Sequence, residues 1–245
     1  MTPSKRPTRA LFWDIDGTLL LTGRAGMIAW ERAYVAVTGG TAFPPFRTDG
    51  MTDYQIAAQS LGVLDGLDQV PASDVQEQAA ALVGRYEREL PSVLPLRQGR
   101  VMANVDVVLM RVAERADLLS WLVTGNTAAG AGAKLTYYGL RHFFQPPGED
   151  DVLAGAFANR IEPRARIVQR ALERAQALVP GLRPNEALVI GDTPHDIEGA
   201  HAIGIPVLAL SSATHSAEEL ATHEPWRLLP ELPAPDAFEG LLRES

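Results

Sequence analysis

The sequence contains no cysteine, which excludes disulfide bonds and thiolate zinc sites. Other signatures of specialised chemistry are missing as well. The five histidines have no metal-ligand spacing, and the serines near His215 lack the GxSxG pattern of a nucleophile elbow. The glycine-rich stretch 125–134 lacks the Gly-Lys-Ser/Thr ending of a P-loop.

Long apolar runs are also missing. No run of about 18 apolar residues occurs, and the basic start has no apolar segment long enough for a signal peptide. The formal net charge of −8 and the lack of a basic stripe argue against a nucleic-acid partner. We therefore expect a cytoplasmic protein without a membrane or nucleic-acid partner, present as a monomer or a homodimer.

The stretch FWDIDGTLL is the most informative part of the chain. An apolar run, typical of a buried strand, is followed by Asp14 and Asp16, which should share one side of the strand end. Carboxylates this close need a cation or strong donors nearby, so the pair indicates a metal site or an acid/base couple. A plain surface turn is the alternative. An EF-hand is excluded because Leu19 and Ala25 replace its glycine and glutamate.

Residues 22–97 show helical patterns only. Apolar spacing predicts helices over about 23–39, 52–61 and 73–90. Ser73 and Gln76 form a capping box for the third helix, and Pro91 should end it. The loop 49–53 before the second helix is either a plain N-cap or a set of N–H groups facing the substrate.

From residue 98 onwards, helices and strands alternate. Apolar runs predict strands over 118–123, 187–190 and 206–210. Helices are expected over about 102–115, 127–138 and 163–178, from the 191–196 motif to 203, and near 237–242. The proline-rich stretch 225–235 should cover the sheet edge as a surface strap. This alternation predicts a parallel sheet with right-handed crossovers.

Polar residues follow three of these strands. Asp14 and Asp16 follow the first strand, Thr124-Gly125-Asn126 follow the second, and Asp192 and Asp196 follow the third. Ligands of open parallel sheets bind beyond the carboxyl ends of the strands. We therefore expect these three groups to converge in one site, although each alone would be weak evidence.

These motifs resemble the haloacid dehalogenase-like superfamily of phosphohydrolases. Its first motif matches residues 11–18, its second matches Thr124, and its acidic motif GDxxxD matches residues 191–196. The chain is similar to the phosphoglycolate phosphatase-like and phosphoglucomutase-like branch. The resemblance implies an α/β fold: a Rossmann-like parallel sheet in a core domain of residues 1–21 and 98–245, with an inserted all-helical cap domain of residues 22–97.

The resemblance also implies roles for the motif residues. Asp14 would be the nucleophile that forms an aspartyl-phosphate, and Asp16 would act as general acid and base. Mg²⁺ would bind to Asp14, the main-chain carbonyl of Asp16, Asp192 and Asp196, the last as ligand or in support of the ligands. Thr18, Thr124, Gly125 and Asn126 would contribute to phosphate binding.

The family's third motif supplies a cation, normally a lysine before a helix that starts at a proline. The matching region here has no such lysine. We favour Arg160, which precedes Pro163 and carries a guanidinium suited to phosphate oxygens. Lys134 is the rival, but it lies about 10 Å along its helix from the N-terminus at 1.5 Å per residue, a distance that a lysine side chain would struggle to cover.

The resemblance therefore indicates a Mg²⁺-dependent phosphatase acting on a small phosphorylated metabolite. A phosphomutase would use the same aspartyl-phosphate and differ in cap contacts that exclude water. A catalytically silent binding module on the same fold is the third reading, because fold alone does not fix function. The presence of Asp14, Asp16, Thr124 and Asp192 together favours an enzyme.

Overall fold

A computed structural model describes residues 8–63, 73–146, 148–149, 151–211 and 213–244. Its strands are β1 (Arg9–Trp13), β2 (Leu20–Leu21), β3 (Arg100–Val101), β4 (Leu118–Thr124), β5 (Gly155–Phe157), β6 (Ala187–Gly191), β7 (Val207–Leu210) and β8 (Arg227–Leu229). Six of them form one sheet in the order β5-β4-β1-β6-β7-β8, and every neighbouring pair is parallel. The prediction of a Rossmann-like parallel sheet is therefore confirmed.

Helices cover both faces of this sheet. The α-helices are α1 (Ala25–Thr38), α2 (Asp53–Ser60), α3 (Ser73–Val93), α4 (Val105–Ala113), α5 (Ala128–Tyr137), α6 (Arg164–Leu178), α7 (Pro194–His201), α8 (Ala217–Ala221) and α9 (Pro235–Glu244). Leu11 and Trp13 of β1 pack on one face with residues of α4, α5 and α9, whereas Ala10 and Phe12 pack on the other with α6 and α7. This two-sided burial explains the uninterrupted apolar run of β1.

The helices α1, α2 and α3 form an insert between β2 and β3. They enclose a hydrophobic cluster of their own, in which Trp30 stacks on Tyr86 with ring centroids 4.1 Å apart. The same cluster includes Ile161 of the core, so the insert packs against the core. The N–H of Ile161 donates to Gln76 Oε1 (2.8 Å), and Gln76 Nε2 donates back to the Ile161 carbonyl (3.1 Å).

The two connections of the insert run side by side. Strands β2 and β3 pair antiparallel, with Leu20 opposite Val101. Gly23 has a left-handed φ of 59°, and a side chain there would overlap the backbone of Gln98. A side chain at Gly99 would overlap the Leu21 carbonyl and the Tyr138 hydroxyl. The chain therefore enters and leaves the insert through one narrow, glycine-dependent junction.

Several details differ from the sequence prediction. Strand β5 lies in a segment that showed no regular pattern, and β8 lies inside the proline-rich stretch, which adds an edge strand rather than a strap. Helix α3 continues past Pro91 to Val93. Gln76, predicted from sequence as part of a capping box, bonds to the backbone of Ile161 through both atoms of its amide.

Within the part of the chain that is described, no helix is both long enough and apolar enough to cross a membrane. The cytoplasmic location and the oligomeric state stay predictions.

Candidate active site

The polar residues that follow β1, β4 and β6 lie together at the carboxyl edge of the sheet. They form one wall of a cavity of about 230 Å³. The insert forms the opposite wall, with residues of α1, α3 and the loop before α2. The predicted convergence of the three motifs is therefore present in the structure, and the helical insert encloses it.

Asp14 is fixed directly beyond the last residue of β1. Its N–H donates to the Ile190 carbonyl (2.9 Å), which extends the β1–β6 pairing by one residue, and it is 6% exposed. The chain then turns at Gly17, whose φ is 84°. A side chain at Gly17 would overlap the Asp192 carboxylate, so this turn needs glycine for both reasons.

Three buried carboxylates meet at this point. Single oxygen atoms of Asp14, Asp192 and Asp196 all lie within 4.8 Å of one another. Burial, followed by repulsion from Asp196, raises the pKa of Asp14 to about 6, although Arg164 opposes the shift. Burial and repulsion from Asp14 and Asp196 also raise the pKa of Asp192 well above its usual value. Arg164 pairs with Asp14 and Asp196 but adds one positive charge to three carboxylates, so the cluster is short of positive charge.

A hard divalent cation fits this cluster, since its donors are all carboxylate oxygens. Asp14 and Asp192 are the better placed ligands. Asp196 is already occupied: Oδ2 accepts bonds from the N–H and hydroxyl of Thr193, and Oδ1 accepts one from Arg164. Thr18 donates its hydroxyl to Asp192 (3.1 Å), so in this structure it orients a carboxylate instead of facing the cavity.

Arg164 is the cation that pairs with Asp14, and the sequence analysis missed it. It stands in the first turn of α6, and its Nη2 donates to Asp14 Oδ1 (2.8 Å) and to Asp196. Its Nη1 lies where a side chain on Gly125 would approach to 3.0 Å, so it points toward the second motif. Its Nε is buried and has no hydrogen-bond partner among the described residues.

Arg160, the residue favoured from the sequence, lies elsewhere. Its side chain is 60% exposed and its Nε pairs with Glu162 (3.4 Å). The structure instead brings Arg164, in the first helical turn after Pro163, to the sheet edge. The useful sequence signal was the cation directly after Pro163.

Lys134 does reach the site, so the argument from its distance along the helix was wrong. Its Nζ donates to Asp16 Oδ2 (2.5 Å) and to Asn126 Oδ1 (2.6 Å), and the side chain is 5% exposed. Helical side chains lean toward the N-terminus of their helix, which brings a long side chain back along the axis.

Asp16 therefore has partners quite unlike those of Asp14. Both Lys134 and Asn126 Nδ2 (2.8 Å) donate to its Oδ2. No hydrogen bond to Oδ1 is found among the described residues. Asn126 Nδ2 also donates to Thr124 Oγ1 (2.9 Å), so Asn126, which lines the cavity, orients both Asp16 and Thr124.

The insert adds a further carboxylate to the cavity wall, Asp53. It is 5% exposed, and its Oδ2 accepts a bond from the N–H of Thr127 (2.8 Å). Burial raises its pKa to about 7, and Lys134 and the Thr127 N–H oppose the shift. Thr52 caps α2 as a capping box with Gln55. Thr52 therefore acts as a helix cap, and the next residue, Asp53, makes the hydrogen bond to the core.

A comparison with known families agrees with this geometry. The family model of haloacid dehalogenase-like hydrolases matches residues 8–204. The chain belongs to this family. The resemblance found in the sequence motifs is thereby confirmed, and so is the prediction of an enzyme of the hydrolase class.

Solved structures of haloacid dehalogenase-like proteins share the fold. CbbY from Rhodobacter sphaeroides, in complex with phosphate, is 18% identical with a TM-score of 0.67, covering 91% of this chain and 94% of that one. A predicted phosphatase from Clostridium acetobutylicum is 13% identical with a TM-score of 0.68, covering 98% and 100%. A hydrolase from Pseudomonas syringae is 20% identical with a TM-score of 0.63, covering 96% and 98%. No curated protein sequence matches the chain.

Proposed function

We propose that this haloacid dehalogenase-like hydrolase is a Mg²⁺-dependent phosphatase that cleaves a small phosphorylated metabolite through an aspartyl-phosphate on Asp14. One observation supports this most directly: the two carboxylates of the first motif have different environments. Asp14 lies buried among carboxylates beside Arg164, and Asp16 is held by Lys134 and Asn126. Paired carboxylates in unlike environments are typical of a nucleophile and a proton carrier.

In the first half of the reaction, a carboxylate oxygen of Asp14 attacks phosphorus and the ester P–O bond breaks. Asp16 gives its proton to the leaving alkoxide, so that the alcohol departs and an acyl phosphate remains on Asp14. Lys134 and Asn126 hold Asp16 by Oδ2. Oδ1 is therefore the oxygen that carries the proton.

In the second half, water attacks phosphorus and the bond between phosphorus and the Asp14 oxygen breaks. Asp16, now ionised, accepts the proton of this water, and inorganic phosphate is released. Lys134 stays bonded to Oδ2 of Asp16, which leaves Oδ1 to accept this proton.

The phosphoryl oxygens need donors that are fixed before the reaction begins. Arg164 offers Nη1 beside Gly125, while its Nη2 stays on Asp14. Thr124 is fully buried, and its oxygen accepts from Asn126. The Thr124 hydroxyl proton is therefore free for a phosphoryl oxygen, and the Gly125 N–H is expected beside it.

Asp14, Asp192 and the main-chain carbonyl of Asp16 would hold Mg²⁺, with Asp196 fixing Arg164 and the Thr193 turn. When bound, Mg²⁺ supplies positive charge that offsets the carboxylates and the phosphate. The cavity of about 230 Å³ limits the substrate to a small ester while the insert is docked. The neighbour CbbY, solved with phosphate, supports an anion site on this fold.

The test is phosphate release from p-nitrophenyl phosphate and from a panel of phosphorylated metabolites. Wild type, Asp14→Asn and Asp74→Asn are compared with Mg²⁺ and with a chelator. Asp74 is exposed on α3 and serves as a matched acidic control. We expect turnover by wild type and Asp74→Asn, lost on chelation and in Asp14→Asn. Undiminished release by Asp14→Asn would overturn the mechanism, and transfer of phosphate to a hexose phosphate would indicate a mutase.

A further inference from the structure

Asp53 carries a carboxylate that its own helix does not use. It is the first residue of α2, and the start of that helix is already capped by Thr52 and Gln55 through reciprocal bonds of 3.2 and 2.9 Å. The Asp53 side chain is nevertheless buried. A buried carboxylate costs free energy unless donors compensate it, so its partner must lie on another element.

That partner is the core loop that follows β4. Asp53 Oδ2 accepts the N–H of Thr127, and the N–H of Asp53 donates to the Gly125 carbonyl, both at 2.8 Å. Thr127 is the N-cap of α5, so its own N–H lies outside the bonding of that helix. One residue of the insert thus fixes a donor and an acceptor of the loop that carries Thr124.

The approach of the insert to this loop is close. A side chain on Gly125 would lie 3.0 Å from the Met51 carbonyl and 3.1 Å from Thr52 Cα. On the other side of the cavity, a side chain on Gly50 would overlap the His195 ring. The loop before α2 is therefore seated between the second and the acidic motifs, with Asp53 as its hydrogen-bonded end.

Charge also links Asp53 to the catalytic set. Lys134 attracts the Asp53 carboxylate while its ammonium is bonded to Asp16 and Asn126. Movement of Asp53 away from Thr127 would therefore alter the field on Lys134 as well as the path of the loop.

We propose that Asp53 is a positioning residue through which docking of the helical insert sets the geometry of the Thr124–Thr127 loop. The proposal rests on the proposed phosphatase function. It implies that Asp53 governs turnover of every phosphate ester alike, whereas a residue that selected the substrate would affect some esters and spare others.

The experiment compares Asp53→Ala and Asp53→Asn with Asp74→Ala and Asp74→Asn in the full chain. Asp74 is the matched control, since it is also an acidic first-turn residue of an insert helix but is exposed. Two quantities are measured: kcat and KM on p-nitrophenyl phosphate and three metabolite esters, and hydrogen exchange of the Thr127 amide. Exchange needs no catalysis, so it tests the contact even where no ester is hydrolysed.

We expect Asp53→Ala to expose the Thr127 amide to faster exchange and to lower kcat on every ester by a similar factor, on the order of 10- to 100-fold. Asp53→Asn keeps an oxygen that can accept the Thr127 N–H, so it should recover part of both effects. The Asp74 variants should match wild type.

Unchanged Thr127 exchange in Asp53→Ala would overturn the proposal, as would a loss confined to one ester. Equal losses in the Asp74 variants would also overturn it. If wild type hydrolyses no ester, the phosphatase function fails by itself, and the exchange result alone decides whether Asp53 holds the loop.

Discussion

Two carboxylates separated by one residue acquire opposite surroundings in this chain. Asp14 shares its site with Asp192, Asp196 and Arg164, and Asp16 is paired with Lys134. The difference arises because Asp14 contacts Arg164 of α6, whereas Asp16 contacts Lys134 of α5. At the scale of single residues, cations from two different helices therefore pair with the two carboxylates, Arg164 with Asp14 and Lys134 with Asp16.

Arg164→Ala should lower kcat/KM on p-nitrophenyl phosphate by about 10²- to 10³-fold, the effect of removing one fixed donor from a transition-state site. Arg164→Lys should recover only part, because an ammonium cannot contact Asp14 and a phosphoryl oxygen through separate nitrogens. Arg160→Ala is the control, and we expect it to match wild type because Arg160 is exposed. A larger loss in Arg160→Ala than in Arg164→Ala would restore the assignment made from sequence.

Mg²⁺ binding should weaken in acid. The folded pKa of Asp14 is about 6, above its ordinary value of 3.8, so the group is protonated below pH 6 and ionised above it. A carboxyl group must lose its proton to bind a metal, so affinity should fall by up to about tenfold per pH unit below pH 6. Calorimetric titration at pH 5 and pH 7 measures this. Equal affinity at both values would show that Asp14 is not a ligand.

The same Asp14 shift makes a prediction about the stability of the metal-free protein. Because the folded pKa is raised, the folded state holds its proton more tightly than the unfolded chain. The proton on Asp14 therefore stabilises the folded state below pH 4, and this stabilisation is lost as the pH rises to 6. Asp14→Asn lacks this term. As the pH rises from 4 to 6, the free energy of unfolding of Asp14→Asn should therefore increase relative to that of wild type, as measured by urea denaturation. A difference between the two proteins that does not change with pH would contradict the raised pKa of Asp14.

At the scale of elements, the site depends on glycine residues, which allow the backbone of one element to approach another closely. Gly125, in the turn after β4, shows this most clearly, since a side chain there would approach both the insert loop and Arg164. A Cβ here would force the insert loop or Arg164 to move, because it would lie only 3.0–3.1 Å from them.

Gly125→Ala should therefore separate the insert from the loop by a few tenths of an ångström or more. We expect kcat to fall on the order of 10-fold or more, since reacting groups would be misplaced. Gly84→Ala in α3 is the control. Its nearest neighbour is the flexible end of Arg88 at 3.8 Å, and alanine in a helix interior should stabilise by about 0.5–1 kcal/mol. Normal activity in Gly125→Ala would show that the close approach is not required.

At the scale of the whole molecule, the sequence predicted much of the architecture because its strongest signals are local. The apolar run before Asp14 and the spacing in α6 each specify one element, and the order of elements specifies a parallel sheet. Strands β5 and β8 were not predicted, because each has only three residues, which is too short to show the alternation of apolar and polar residues that marks a strand. Lys134 and Arg164 were misjudged because the reach of a side chain depends on its direction from the helix, which spacing does not reveal.

The junction of the insert offers a prediction at this scale. Gly23→Ala must overcome a left-handed φ and overlap with the Gln98 backbone, so the two connections should be pushed apart. The amide of Ile161, bonded to Gln76, should then exchange faster. Gly62→Ala is the matched control because its φ is 68° but its surroundings are open. Equal exchange of the Ile161 amide in Gly23→Ala and Gly62→Ala would show that the effect comes from backbone strain at a left-handed φ and not from the junction.

The pairing of β2 with β3 also bears on how such a chain can change over evolutionary time. Because Leu20 and Val101 lie opposite each other, the two points at which the insert joins the core are neighbours, and this does not depend on the sequence of the insert. An exchanged or lengthened insert needs only to begin and end at neighbouring points, and the strands that hold Asp14 and Asp192 are not disturbed. Replacing this one contiguous segment would therefore change the cavity wall that the insert forms and leave the carboxylates at the sheet edge where they are.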